Sequence, residues 1–127
     1  MTTPLLTRID TVFLPVRSLA DAIEWYGAHL GWPLVWRNEE IAIFQHEGGT
    51  PLTLLQHRYP GVRDVPADEP FEPRTEVRFN FLCQDIEAAH RDFQARGVEA
   101  GELMDHGDVQ EFHFRDPDGN LLSVVRC

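Results

Sequence analysis

One pattern runs through this chain twice: a β-strand, an amphipathic helix stopped by glycine, then several short strands. In the first copy residues 9–16 have strand composition, with Val12, Leu14 and Val16 facing one way and Thr11, Phe13 and Pro15 the other. Pro15 marks an edge or the end of pairing. Ser18 offers an N-cap oxygen with Asp21 three residues on, Leu19, Ala22, Ile23, Tyr26 and Leu30 recur at helical spacing, and Gly31 ends the helix. Residues 34–36, 41–45 and 52–55 read as three further strands separated by segments of turn composition. The second copy opens with a strand over 77–83 and continues with a helix capped by Asp85, carrying Ile86, Ala89 and Phe93 on its apolar side and ended by Gly97. Short strands near 99–100, at 110–115 and at 121–125 complete it. The sequence thus predicts an α+β fold of two βαβββ modules in tandem, about 8–57 and about 75–127, within one domain.

The last two strands form the clearest local unit. Phe112 and Phe114 alternate with Glu111, His113 and Arg115, then Asp116-Pro117-Asp118-Gly119-Asn120 supplies turn residues and an apolar run follows, which predicts a β-hairpin. In each module the helix must cover one sheet face. The residues suited to it are Val12, Leu14 and Val16, and Val77, Phe79, Phe81 and Cys83. The opposite faces collect Thr11, Phe13, Thr53, Leu55 and His57 in one module, and Arg78, Asn80, Glu111, His113, Ser123 and Val125 in the other. Faces this polar are expected to be solvated or to wall a site rather than form a packed core.

Between the modules, residues 58–74 carry Pro60, Pro66, Pro70 and Pro73 among charged residues and read as a long loop, either a lid, a tether or part of a dimer contact. The formal net charge of −10, with no basic patch, argues against nucleic acid as a partner. No long apolar run suggests a membrane span and no leader is recognised. With Cys83 and Cys127 as the only cysteines, a reducing cytoplasm is expected, with Cys83 as a small core residue.

Val-Arg-Ser-Leu-Ala-Asp-Ala-Ile-Glu-Trp-Tyr-Gly-Ala-His-Leu-Gly at 16–31 and Phe-Arg-Asp-Pro-Asp-Gly-Asn at 114–120 resemble motifs of the vicinal oxygen chelate superfamily, which includes glyoxalases, bleomycin and fosfomycin resistance proteins and extradiol dioxygenases. The resemblance spans nearly the whole chain. It implies paired βαβββ modules whose mixed sheets curl around a pocket, commonly in a homodimer. Metal-dependent members carry histidine, glutamate or glutamine at four points, which fall here on Thr11, Thr53, Arg78 and Ser123. Hydroxyls are weak ligands and a guanidinium repels a cation, so the usual metal site is expected to be absent and no cofactor is expected.

On that reading the candidate ligand-binding residues are Thr11, Phe13, Trp36, Thr53, His57, Arg78, Asn80 and Ser123. Arg78 offers a planar fork to a carboxylate, phosphate or enolate oxygen, or else pairs with Glu111 across the sheet. Phe13 and Trp36 could stack on a flat ligand or serve core and dimer packing. Glu111 and His113, two apart on one strand, are candidate catalytic acid and base groups, candidate ligands of a relocated divalent metal with His57 as a third, or simply a hydrogen-bonded polar wall. His29, His46, His90 and His106 receive no role. The first functional expectation is a metal-independent small-molecule binding protein of the bleomycin-resistance type. The alternatives are a lyase, isomerase or dioxygenase-type enzyme, and a structural dimer without ligand.

Overall fold

The computed structural model describes residues 3–61, 66 and 68–127. They divide into two units, Met1–Phe71 and Glu72–Cys127. Residues 62–65 and 67, within the proline-rich loop of the sequence reading, lie outside the described residues.

The first unit runs β1 (Val12–Val16), α1 (Leu19–Leu30), β2 (Leu34–Arg37), β3 (Ile41–Phe44) and β4 (Leu52–Gln56). Its open sheet has the order β1-β4-β3-β2, with β1 parallel to β4 and the other pairs antiparallel. Pro15 is tolerated because β1 is an edge strand. Helix α1 starts where expected: the Ser18 oxygen accepts the Asp21 N–H at 3.4 Å. It stops at Gly31, which takes the left-handed conformation at φ 69° and donates its N–H to the Gly27 carbonyl. A cap not foreseen from sequence comes from β4. Gln56 Oε1 accepts the Leu19 N–H at 2.8 Å while its Nε2 donates to the Arg17 carbonyl at 2.9 Å. Leu19, Ala22 and Tyr26 of the helix, with Leu14, Val16, Ala42, Phe44, Leu52 and Leu54 of the sheet, form the core.

The second unit runs β5 (Asn80–Leu82), α2 (Ile86–Ala95), β6 (Glu99–Ala100), β7 (Met104–Asp105), β8 (Gln110–Arg115) and β9 (Leu121–Arg126). The sheet order is β5-β9-β8-β6, with β7 also on β8. Again the first strand is parallel to the last and the rest is antiparallel. Phe93 of α2 meets Phe112 and Phe114 edge-on, with ring centroids 5.5 and 5.0 Å apart. Mixed sheets with one helix each make this the expected α+β fold of two βαβββ-like units.

The hairpin turn is a closed polar network. Asp116, 5% exposed, accepts the N–H groups of Asp118 and Asn120 on Oδ1 at 3.0 and 2.9 Å and the Asn120 amide on Oδ2 at 2.9 Å. Gly119, at φ 89°, closes it with an N–H to the Asp116 carbonyl. Asn120 Oδ1 then accepts the Arg74 N–H at 2.8 Å, tying the entry of the unit to its last hairpin.

Three expectations are corrected. The strand expected over 77–83 is only Asn80–Leu82, because the chain first bonds to β9 through Arg74, whose carbonyl accepts the Leu121 N–H, and rejoins β9 at Asn80. The two-residue strand β7 was not foreseen; it is held by its pairing to β8 and by a turn in which Asp105 accepts the Gly107 N–H. The face opposite the helices is not uniformly solvated. β4 and β9 are interior strands, and Thr53, Leu55, Ser123 and Val125 are at most 8% exposed.

Candidate functional site

Sheet register in the second unit assembles a polar rung from residues far apart in sequence. Asn80 lies opposite Ser123, and Ser123 opposite His113, so the three share one side of the sheet. The next rung is Leu82, Val125, Glu111 and Met104. Both lie on the face away from α2, because Phe112 and Phe114, which alternate with these residues, pack against Phe93.

The Glu111 carboxylate is the electrostatic centre of this face. Its Oε1 stands 3.4 Å from His113 Nε2 and 3.6 Å from His106 Nε2, with the three side chains 26, 36 and 55% exposed. The sequence reading paired Glu111 with His113 but gave His106 no role. What brings His106 in is β7 and the turn after it, where the His106 N–H bonds to the Val109 carbonyl. Partial exposure keeps these contacts weak, so the carboxylate and imidazoles remain available to a third group.

Ser123 is fully buried, and its Oγ has no hydrogen-bond partner among the described residues. A serine, a histidine and a glutamate on neighbouring rungs have the residue types of a nucleophilic triad, but this hydroxyl bonds to no base and is not activated. Arg115, on the same face, donates to the Gly119 carbonyl at 3.0 Å and lies opposite Glu99.

Arg78 stands ahead of β5 and pairs with Glu76 at 3.5 Å, with the two side chains 55 and 74% exposed, rather than with Glu111 as weighed from sequence. The neighbouring Arg74 is partly buried, and burial followed by the charge of Arg78 presses its guanidinium below the ordinary pKa.

In the first unit Phe13, Thr53, Ile43 and Trp36 form the corresponding rung, with Phe13 39% and Trp36 50% exposed. A β-bulge between Leu34 and Trp36 brings the indole to this side. Thr11 and Thr53 join hydroxyl to hydroxyl at 2.7 Å, and Thr11 also donates to the Pro51 carbonyl at 3.0 Å. His57 is occupied at the end of β4, with Nε2 3.0 Å from the Glu69 carbonyl and its ring edge-on to Phe71.

The four positions at which metal-dependent relatives place ligands therefore hold two hydroxyls bonded to each other, an arginine paired with glutamate, and a buried serine. That donor set does not suit a divalent cation. Among the described residues no three of histidine, cysteine, aspartate and glutamate converge to hold a metal ion, and no helix is long and apolar enough to cross a membrane. An open cleft of about 420 Å³ at the start of α2 is lined by Gln84, Asp85, Ile86, Glu87, Gln110 and Arg126. Gln110 alternates with Glu111, so its side chain points to the other side of the sheet.

The family profile for the glyoxalase/bleomycin resistance protein/dioxygenase superfamily matches residues 8–124. The chain belongs to this superfamily. The uncharacterized protein YraH of Bacillus subtilis is 29% identical to it over 89% of this chain and 93% of its own length. Among solved structures, TnmS3, an antibiotic binding protein from Streptomyces sp. CB03234, superposes with a TM-score of 0.78 at 18% identity, over 98% of each chain. The lactoylglutathione lyase of Agrobacterium tumefaciens superposes with a TM-score of 0.77 at 18% identity, over 97% of this chain and 96% of its own. A protein named as an antibiotic binder and one named as a lyase thus share this fold, and these structural likenesses speak to the fold alone.

Proposed function

We propose that this superfamily member is a cytoplasmic, metal-independent protein that binds and sequesters a small organic molecule, with Asn80, Glu111, His113 and Ser123 as its principal contacts. The observation that carries the reading is the state of the four family metal positions. Thr11 and Thr53 consume each other's hydroxyls, Arg78 is paired with Glu76, and Ser123 offers only a hydroxyl. Polar and hydrogen-bonding groups are nevertheless presented on the adjacent rungs, as a binding surface requires. The fold shared with an antibiotic binding protein lends support. Within the first unit by itself, Phe13 and Trp36, both partly exposed, are read as candidate ligand contacts. A homodimer is part of the proposal, supported by exposed Leu34, Val35 and Trp36 on the edge strand β2.

Two measurements test this. Elemental analysis after incubation with manganese, iron, nickel and zinc, beside a thermal melt of each sample, should give no stoichiometric metal and no rise in melting temperature. A panel of antibiotics and aromatic compounds should contain members that raise it saturably, since binding to the folded state alone stabilises it. Stoichiometric metal with a raised melting temperature would overturn metal independence.

A second reading follows from the 3.4 Å approach of His113 to Glu111: an enzyme using the two as acid and base. It requires turnover whose pH profile changes in His113→Gln, and activity indifferent to both residues would remove it.

A further inference from the structure

The two units treat the same register position differently. Thr53 on β4 and Ser123 on β9 each lie opposite the start of the parallel first strand, at Phe13 and Asn80, and each is nearly or wholly buried, at 3% and 0% exposure. The Thr53 hydroxyl is satisfied by Thr11 at 2.7 Å. The residue standing two before Asn80, as Thr11 stands two before Phe13, is Arg78, and it is turned to Glu76. Nothing among the described residues replaces that missing partner, and the Ser123 Oγ is left bare. A buried hydroxyl without a partner is a rare and unfavourable arrangement.

We infer that Ser123 is the anchor and the charge filter of the proposed site, selecting molecules that present a neutral hydroxyl or carbonyl oxygen beside an apolar body and rejecting carboxylates. This rests on the binding reading above and adds the ligand's chemical class. A serine hydroxyl donates to a carbonyl or accepts from an alcohol, and Asn80 and His113 on its rung can do either as well. A carboxylate there meets the Glu111 carboxylate, held 3.4 Å from His113. No compensating cation is spare on these two rungs. Neither rung carries a lysine or arginine; Arg115 on the next rung donates to the Gly119 carbonyl, and Arg78 stands ahead of β5. Leu82, 76% exposed, with Val125 and Met104 on the adjacent rung, offers apolar surface for the rest of the molecule. Because the hydroxyl is covered, a ligand reaches it by displacing a side chain.

The test is a thermal melt of the full chain as wild type, Ser123→Ala and His113→Gln, with 1-naphthol, 1-acetonaphthone or 1-naphthoate at equal concentrations. These probes share one apolar body and differ in the oxygen group. The wild type should be stabilised by the neutral probes and not by 1-naphthoate. Ser123→Ala should melt at or above the wild type without probe, because it removes an unpartnered buried hydroxyl, yet lose at least about half of the shift given by the neutral probes. His113→Gln, which keeps a hydrogen-bonding side chain, should retain part of it. A larger shift with 1-naphthoate, an undiminished shift in Ser123→Ala, or a lower melting temperature for unliganded Ser123→Ala overturns the inference. If the naphthyl probes are silent while the antibiotic panel shifts the wild type, the inference falls and the binding reading stands; if both are silent, both fall.

Discussion

Replacing Asn120 by alanine tests how the second unit is held together. The side chain is 1% exposed, donates from Nδ2 to Asp116 Oδ2 at 2.9 Å and accepts the Arg74 N–H on Oδ1 at 2.8 Å. Losing the first removes a donor from a carboxylate that is itself 5% exposed, a bond of the class worth about 1.5–3 kcal/mol. Losing the second strands a backbone N–H, a penalty of about 1–3 kcal/mol. Together they predict a destabilisation of about 2.5–6 kcal/mol. With a urea slope of about 1.5 kcal/mol per molar, the midpoint should fall by about 2–4 M. Asn38→Ala is the control: its Oδ1 also takes two backbone N–H groups, from Glu40 and Ile41 at 2.8 Å each, but at an exposed site where water replaces them, so about 1 kcal/mol or less is expected. Far-UV circular dichroism should be read beside tryptophan fluorescence, because Trp25, Trp32 and Trp36 all lie in the first unit and report on it selectively. An Asn120→Ala cost no larger than that of Asn38→Ala would refute the argument that burial makes this network strong.

Three further substitutions probe the core, a helix end and the exposed arginine. Phe112→Ala, at 0% exposure and stacked edge-on with Phe93 and His90, should cost about 3–5 kcal/mol in urea unfolding. Gly31→Ala forces a left-handed residue at φ 69° and should cost about 1 kcal/mol although a Cβ there meets no atom within 4 Å, so a neutral result would show that the helix end relaxes. Arg78→Ala should change stability by less than about 0.5 kcal/mol, since its pairing with Glu76 is solvent-exposed, and should leave the shift from 1-naphthol unchanged.

Where a sequence signal is local, it was legible. Ser18, Gly31 and Asp85 mark helix ends because capping and left-handed geometry act within one turn of the residue concerned. The alternation of Glu111, Phe112, His113 and Phe114 gave the two faces of β8, since a pleated strand admits no other arrangement. What escaped depended on pairing at a distance. The strand over 77–83 begins only at Asn80, after the chain has first met the last hairpin at Arg74, whose N–H goes to Asn120, 46 residues away. His106 looked like an isolated loop histidine until β7 paired with β8 and brought its Nε2 within 3.6 Å of Glu111. Gln56 gave no capping signal because it caps a helix 37 residues earlier in the chain.

The duplication explains why the site is expected in one unit and not equally in both. Two copies of one fold place side chains at matching register positions, and what then differs is whether each polar group finds a partner inside its own unit. In the first unit Thr11 and Thr53 satisfy one another, His57 is tied to the Glu69 carbonyl, and Phe13 and Trp36 leave only aromatic surface on that face. In the second, the corresponding partner is an arginine that turns outward, and Glu111, two imidazoles and a buried hydroxyl remain without strong internal bonds. Closing a polar group internally stabilises a unit, while leaving one open costs stability and is retained only where something else meets it. Giving Ser123 an internal partner should therefore trade binding for stability. Arg78→Thr places a hydroxyl at the register position from which Thr11 satisfies Thr53 in the first unit. That variant should melt higher than wild type and bind 1-naphthol more weakly, whereas a gain in stability with binding intact would show that Ser123 and the ligand never meet.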